Sequence, residues 1–253
     1  MVIRSMHTLT VVAVALAVTS CASGPGSSPG PSQSPASPSA TSPTQSEAPQ
    51  ITIGIPVADA TVSVPFTVTG AANTFEAALT VDAVDESGMV ACVRHLTATS
   101  GSGTPGTWEA TLAFPPEEDA LPVMLRAYAQ NAKDGSVVGL VDFPITVSPE
   151  RPPIILTSPT CGQVYEVGSL ILVTGTANIF EAALTVDVRD ASGTTVATVQ
   201  VTADECCVES NFSSRLTLPA DIPPGLYDVV AYSLSAKDGS VENEFPVQIE
   251  VRR

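Results

Sequence analysis

Residues 70–88 read GAANTFEAALTVDAVDESG, and residues 175–193 read GTANIFEAALTVDVRDASG; the two stretches are identical at 14 of 19 positions. A second match follows each, Ala132-Lys133-Asp134-Gly135-Ser136-Val137 and Ala236-Lys237-Asp238-Gly239-Ser240-Val241. The matches recur about 105 residues apart, so the chain contains one domain-sized unit written twice with almost no insertions. Both copies alternate apolar and polar residues with the period of a strand. In copy one, Phe66 and Val68 alternate with threonines, followed by Leu79, Val81 and Ala83, then Trp108, Ala110, Leu112 and Phe114. Val123, Leu125 and Ala127 come next, then Phe143, Ile145 and Val147. Copy two answers with Ile171 and Val173, then Leu184, Val186 and Val188, Phe212, Leu216 and Leu218, Val229 and Ala231, and Phe245, Val247 and Ile249.

With a first strand at Ile51–Ile55 and another near Val90–Leu96, each copy has seven strands separated by regular turn signals. That pattern predicts an all-β protein of two tandem antiparallel sandwiches, residues 51–148 and 154–251. Pro144 and Pro246 interrupt the last strand of each copy; proline has no N–H to give a ladder, so an edge or a bulge is expected there. Pro149-Glu150-Arg151-Pro152-Pro153 joins the copies. Such a short, proline-rich hinge predicts an extended rod.

The run Gly-x-Ala-Asn-x-Phe-Glu-Ala, with Ala-Lys-Asp-Gly-Ser about 60 residues later, resembles the immunoglobulin-like domain of bacterial spore-germination proteins, the second Gmad class. The resemblance covers both copies. It implies an immunoglobulin-like fold, usually tethered outside the cell, and it brings no catalytic residues.

Upstream, residues 1–20 read as an export signal, with Arg4 before an apolar run from Leu9 to Val18 that is too short to span a bilayer, for which about 20 residues are needed. Val18-Thr19-Ser20-Cys21 resembles the lipobox of bacterial lipoproteins. The resemblance implies a diacylglycerol thioether on Cys21 and cleavage before it, a two-chain anchor that holds stably. Residues 22–50 contain seven Pro, nine Ser and a single charge, Glu47. With Cys21 they form a linker too polar to build a core. The expected location is the extracytoplasmic face of the cell membrane, with the lipid as the only membrane contact.

The 253 residues carry 26 acidic and 10 basic side chains, net −16. Loss of residues 1–20 removes Arg4 and no acid, leaving about −17. Such a charge excludes a phosphate-binding surface for nucleic acid and repels anionic lipid. The composition offers little chemistry. His95 is the only histidine after the signal, and the matched place in copy two is Gln200. No base–nucleophile pair is legible, no cofactor motif occurs, and the chain reads as non-enzymatic.

Four cysteines follow Cys21. Cys161, Cys206 and Cys207 occur only in copy two, which favours a disulfide from Cys161 to Cys206 or Cys207. A simple strand layout objects, because it puts the two loops at opposite poles. A thiolate zinc site is the rival, without Cys-x-x-Cys spacing to support it. Cys92 reads as a small buried hydrophobe. Asp82, Asp85, Glu86, Asp187 and Asp190 raise a calcium hypothesis without the dense acidic loop of an EF-hand.

In an immunoglobulin-like sandwich the second-to-third and sixth-to-seventh strand loops share a pole. The candidate binding pole is therefore Glu76, Lys133 and Asp134 in copy one, and Glu181, Lys237 and Asp238 in copy two. The competing reading is structural: Phe75 and Phe180 plug the core, and Glu76–Lys133 and Glu181–Lys237 lie close and fasten the loops. The expected partner is an envelope protein or a cell-wall component; the alternative is a glycan or calcium ligand.

Overall fold

The computed structural model describes residues 50–253. The signal, Cys21 and the linker to residue 49 lie outside the described residues. Copy one contains β1 (Gln50–Ile55), β2 (Thr61–Val62), β3 (Phe66–Asn73), β4 (Ala78–Asp85), β5 (Val90–Thr97), β6 (Gly106–Leu112), β7 (Leu121–Gln130) and β8 (Val137–Val147). They form two facing sheets, β1–β3–β6 and β2–β8–β7–β4–β5. Copy two repeats this with β9 (Ile154–Ser158), β10 (Gln163–Glu166), β11 (Leu170–Ala177), β12 (Ala183–Arg189), β13 (Thr195–Thr202), β14 (Ser210–Thr217), β15 (Gly225–Leu234) and β16 (Val241–Arg252). Its sheets are β9–β11–β14 and β10–β16–β15–β12–β13.

Each copy is thus an all-β sandwich, with one strand more than expected. The first strand breaks and changes sheets: β1 pairs antiparallel with β3, whereas β2 pairs parallel with β8. The same break explains the interior prolines. Pro144 faces Met124 across the ladder, and β8 gains its second neighbour, β2, only at Thr146 and Val147. The side of Pro144 without an N–H is therefore not asked for one, although β8 is no edge strand. Pro246 likewise precedes the β10 contacts, which begin at Ile249.

The alternating residues fill the cores as the period requires. Val68, Val81, Leu112, Leu125 and Ile145 are fully or almost fully buried in copy one, and Ile171, Val186, Val229, Phe245 and Ile249 in copy two. Gly70 and Gly175, which open the two repeats, lie beneath an aromatic ring. A Cβ on Gly70 would meet the Thr52 carbonyl oxygen and come within 2.6 Å of the Trp108 ring; on Gly175 it would meet the Ile155 carbonyl and the Phe212 ring at 2.6 Å.

Asp82 and Asp187, at matched places in β4 and β12, are buried on the outer side of the larger sheets. Arg126 grips Asp82 with two bonds of 2.6 and 2.7 Å, and the Tyr128 hydroxyl donates to it at 3.1 Å. In copy two Tyr232 keeps its place at 3.1 Å from Asp187, while the guanidinium comes from Arg189, on the same strand as the carboxylate. Both arginines also lie over the matched tyrosine ring. Burial, then the Asp82 charge, push the Tyr128 hydroxyl up to about 12.

The copies do not form an extended rod; the described residues, 50–253, belong to one compact unit. Three fastenings converge on β5. Cys92 is bonded to Cys161, with α-carbons 5.0 Å apart. Arg94 donates to both Asp228 oxygens at 2.7 and 2.8 Å. The Gln248 side chain accepts from the His95 N–H at 2.7 Å and donates to the His95 carbonyl at 3.0 Å. Cys161 packs against the cores of both copies, and Ala113 of copy one belongs to the core of copy two. The hinge is fastened to each copy as well: Ser63 donates to Glu150 at 2.8 Å, and Arg151 pairs with Glu209 at 2.8 Å.

The disulfide corrects the pairing expected from sequence. Cys161 bonds to Cys92, and Cys206 and Cys207 remain thiols. The topological objection prevails. β9 begins beside Ala177 and runs away from that end before Cys161 is reached, whereas Cys207 donates its N–H to Ile179 there. Cys92, though almost fully buried, is therefore more than a small hydrophobe.

Candidate binding poles

The motif Asn-x-Phe-Glu-Ala forms a one-turn crossing from β3 to β4 and again from β11 to β12. Glu76 and Ala77 have φ of 54° and 59°, and Glu181 and Ala182 have 60° and 54°. Two successive non-glycine residues in left-handed conformation are uncommon and strained, and such strain persists only where the surroundings impose it. Here the neighbouring loop does so. Ser102 donates its N–H to the Thr74 carbonyl at 2.8 Å, and its hydroxyl accepts from the Glu76 N–H at 3.1 Å. Gly103 donates to the Asn73 side-chain oxygen at 2.8 Å, and Ala98 to the Ala77 carbonyl at 2.9 Å. In copy two Cys207 and Ala203 make the matching backbone bonds, to Ile179 and Ala182.

This geometry turns the phenylalanines outward. Phe75 is 64% exposed and Phe180 66%. They do not plug the cores; the preceding residue does. Thr74 and Ile179 are buried at 2% and 6%. The variable position of the motif is thus the plug, and Ile179, an isoleucine at a turn, was the sequence signal for it.

The second half of each pole is the turn between the last two strands. Thr80 is level with Tyr128 and Thr185 with Tyr232, so the two turns of each copy lie at the same end of adjacent strands. The Asp134 side chain accepts from the Ser136 N–H and hydroxyl at 3.0 and 2.7 Å, and Asp238 does the same with Ser240 at 3.1 and 2.6 Å. The serine hydroxyl bond first, and the N–H next, hold both carboxyls below the usual carboxylate range. These two aspartates shape their own turns.

Glu76, Lys133, Glu181 and Lys237 are all exposed, and among the described residues no ion pair joins Glu76 to Lys133 or Glu181 to Lys237. The fastening role expected of those pairs is therefore not realised. Each turn is already closed by hydrogen bonds that involve neither partner's charged group, and an exposed ion pair adds only about 0–1 kcal/mol.

Other groups named from the sequence have structural partners. The His95 Nδ1 lies 2.9 Å from the Thr80 hydroxyl, and Gln200 makes the matching contact to Thr185 at 3.2 Å. Asp85 and Asp190 each accept from the serine two residues on and close their hairpins. Asp82 and Asp187 are held by arginine, as above. A cleft of about 350 Å³ between the copies is bordered by Arg94, His95, Asp190, Tyr227, Asp228 and Gln248. Two of its charged groups, Arg94 and Asp228, are paired with each other.

A sequence model of the immunoglobulin-like domain of bacterial spore germination matches residues 50–136 and again 154–240. The chain belongs to this family. No curated protein matches it by sequence. Among solved structures it is similar to the fibronectin(III)-like modules of Clostridium thermocellum CbhA, 16% identical, over 80% of this chain and 94% of that one, with a TM-score of 0.27. It is also similar to the ICAM-5 D1–D4 ectodomain fragment, 15% identical over 80% of this chain and 53% of that one, TM-score 0.29. A third is Bacteroides ovatus SGBP-B from a mixed-linkage glucan utilization locus, in complex with a mixed-linkage heptasaccharide, 14% identical over 82% of this chain and 48% of that one, TM-score 0.29. The chain spans about half the length of the last two. At these values the likenesses carry no functional argument; the family match covers both copies.

Proposed function

We propose that this is a non-catalytic envelope protein, anchored by lipid on Cys21 at the extracytoplasmic face, whose two poles bind an envelope protein or cell-wall component. The carrying observation is the repeated exposure of a phenylalanine, Phe75 and Phe180, on strained turns that both copies keep. An exposed aromatic ring offers a large, stiff contact area, and aromatics are enriched where proteins bind each other. Glu76 and Glu181, with Lys133 and Lys237, supply unpaired charges around it for orientation. The family's fold supports an interaction module. The linker spaces the poles from the membrane, and the acidic surface leaves membrane attachment to the lipid.

The test is crosslinking in native envelopes with the full chain and a Phe75→Ala/Phe180→Ala variant. Both rings are exposed, so the variant should melt within about 0.5 kcal/mol of the parent. Loss of a crosslinked partner from the folded variant supports the reading. Equal capture by both proteins sinks it, because the interface then lies away from the poles. Parallel retention on isolated cell-wall polysaccharide, lost in the same variant, identifies the ligand as a glycan. A Cys21→Ala variant that still partitions with membranes would overturn the lipid anchor.

A further inference from the structure

The copies differ in chemistry most sharply in the loop beneath each pole. Copy one has Gly101-Ser102 where copy two has Cys206-Cys207. Ser102 and Cys207 share the left-handed backbone, φ 55° and 63°, and the same N–H bond to the turn above. In copy one a side chain at Gly101 is excluded, because its Cβ would lie 2.6 Å from the Ala77 Cα. Copy two holds a cysteine at that place. Both thiols are exposed, and their sulfurs are hydrogen-bonded at 3.3 Å. The other two described cysteines are already a disulfide.

We propose that Cys206 and Cys207 form an exchangeable dithiol, oxidised to a vicinal disulfide by a small-molecule or protein disulfide and returned to thiols by a dithiol. The reaction balances without a metal. The Cys207 thiolate attacks one sulfur of R–S–S–R, forming a mixed disulfide and releasing RS⁻. Cys206 loses its proton to solvent, and its sulfur attacks the Cys207 sulfur, releasing the second RS⁻. Two protons and two electrons leave the pair, and R–S–S–R becomes two RSH. The hydrogen bond with Cys207 first, then the charge on Cys207, raise the Cys206 thiol.

Reversibility follows from the spacing. Adjacent α-carbons are about 3.8 Å apart across a trans peptide, below the usual disulfide range of about 4.4–6.8 Å. The Cys92–Cys161 bond, at 5.0 Å, lies within that range and joins a buried cysteine to a half-buried one. Strained, exposed disulfides are the labile ones. One molecule therefore holds a structural disulfide and a reactive pair. The proposal does not depend on what the poles bind.

The test treats the folded full chain with glutathione disulfide and maps the cysteines by peptide mass. The expected product is a Cys206–Cys207 peptide lighter by two hydrogens, with no glutathione retained. A Cys206→Ser variant should keep glutathione on Cys207, because the second attack is gone. Mild dithiothreitol should restore the pair while Cys92–Cys161 survives. Glutathione retained on the unaltered chain, no reaction with glutathione disulfide, or earlier reduction of Cys92–Cys161 each overturns the proposal. Cys206 is exposed and serine differs from cysteine only in oxygen for sulfur, so the variant should fold; a melt confirms it.

Discussion

Replacing Cys92 and Cys161 by alanine together removes the covalent link between the copies. The disulfide spans 69 residues of sequence. A closed loop of that length lowers the entropy of the unfolded chain by an amount worth about 4 kcal/mol at 25 °C. For a folded unit of this size about 1 kcal/mol moves the melting temperature by roughly 2–4 °C, so a fall of about 8–16 °C is expected. Arg94–Asp228 and the Gln248–His95 bonds remain, but each copy has a core of its own. The parent should therefore melt in one calorimetric transition and the variant in two. The assay is differential scanning calorimetry of the full chain at neutral pH, oxidised parent against double variant. A drop under about 2 °C with one transition kept would refute the reasoning, since the noncovalent contacts alone would then be fusing the copies.

Gln248→Ala should leave the His95 N–H and carbonyl without protein partners; about 1–3 kcal/mol of stability is expected to go, seen as a lower denaturant midpoint, with faster amide exchange at His95. Gly70→Ala and Gly175→Ala each drive a methyl into an aromatic ring and a carbonyl oxygen, and should cost at least about 1–3 kcal/mol by chemical denaturation, whereas Gly88→Ala, where no atom lies nearby, should be limited to the strain of its φ of 85°. The raised Tyr128 hydroxyl gives a pH dependence of definite sign: its neutral form is favoured in the folded state. Its contribution is complete below pH 10 and is lost as pH rises from 10 towards 12, because the unfolded chain ionises first. Thermal melts across that window should fall for the parent and fall less for Tyr128→Phe.

The sandwich was legible because strand period and burial obey one rule; Leu79, Val81 and Ala83 alternate in sequence and are buried in the structure. The duplication then supplied the second copy. Contacts between the copies were not legible, for a related reason. Cys92, Arg94, Asp228 and Gln248 belong to no repeated motif, and comparing copies draws attention only to what both share. Grouping cysteines by the copy that carries them led to the wrong partner for Cys161. At the poles, the shared end of the two turns could be read from topology. The outward phenylalanines could not, because aromatic residues are read as core by default, and only the left-handed backbone of Glu76 and Glu181 reverses that.

The Gln248 amide does for β5 what another strand would do. An exposed strand flank with free N–H and carbonyl groups is a template for unwanted pairing with neighbouring chains. Copy two blocks that template on copy one with a side chain, an ion pair and a covalent bond. The service is not returned: β13, the corresponding strand of copy two, has β12 on one side and no strand on the other among the described residues. Sealing is therefore vectorial along the chain. Copy one expressed alone would carry its vulnerable flank into solution, whereas copy two alone would lose no such cover.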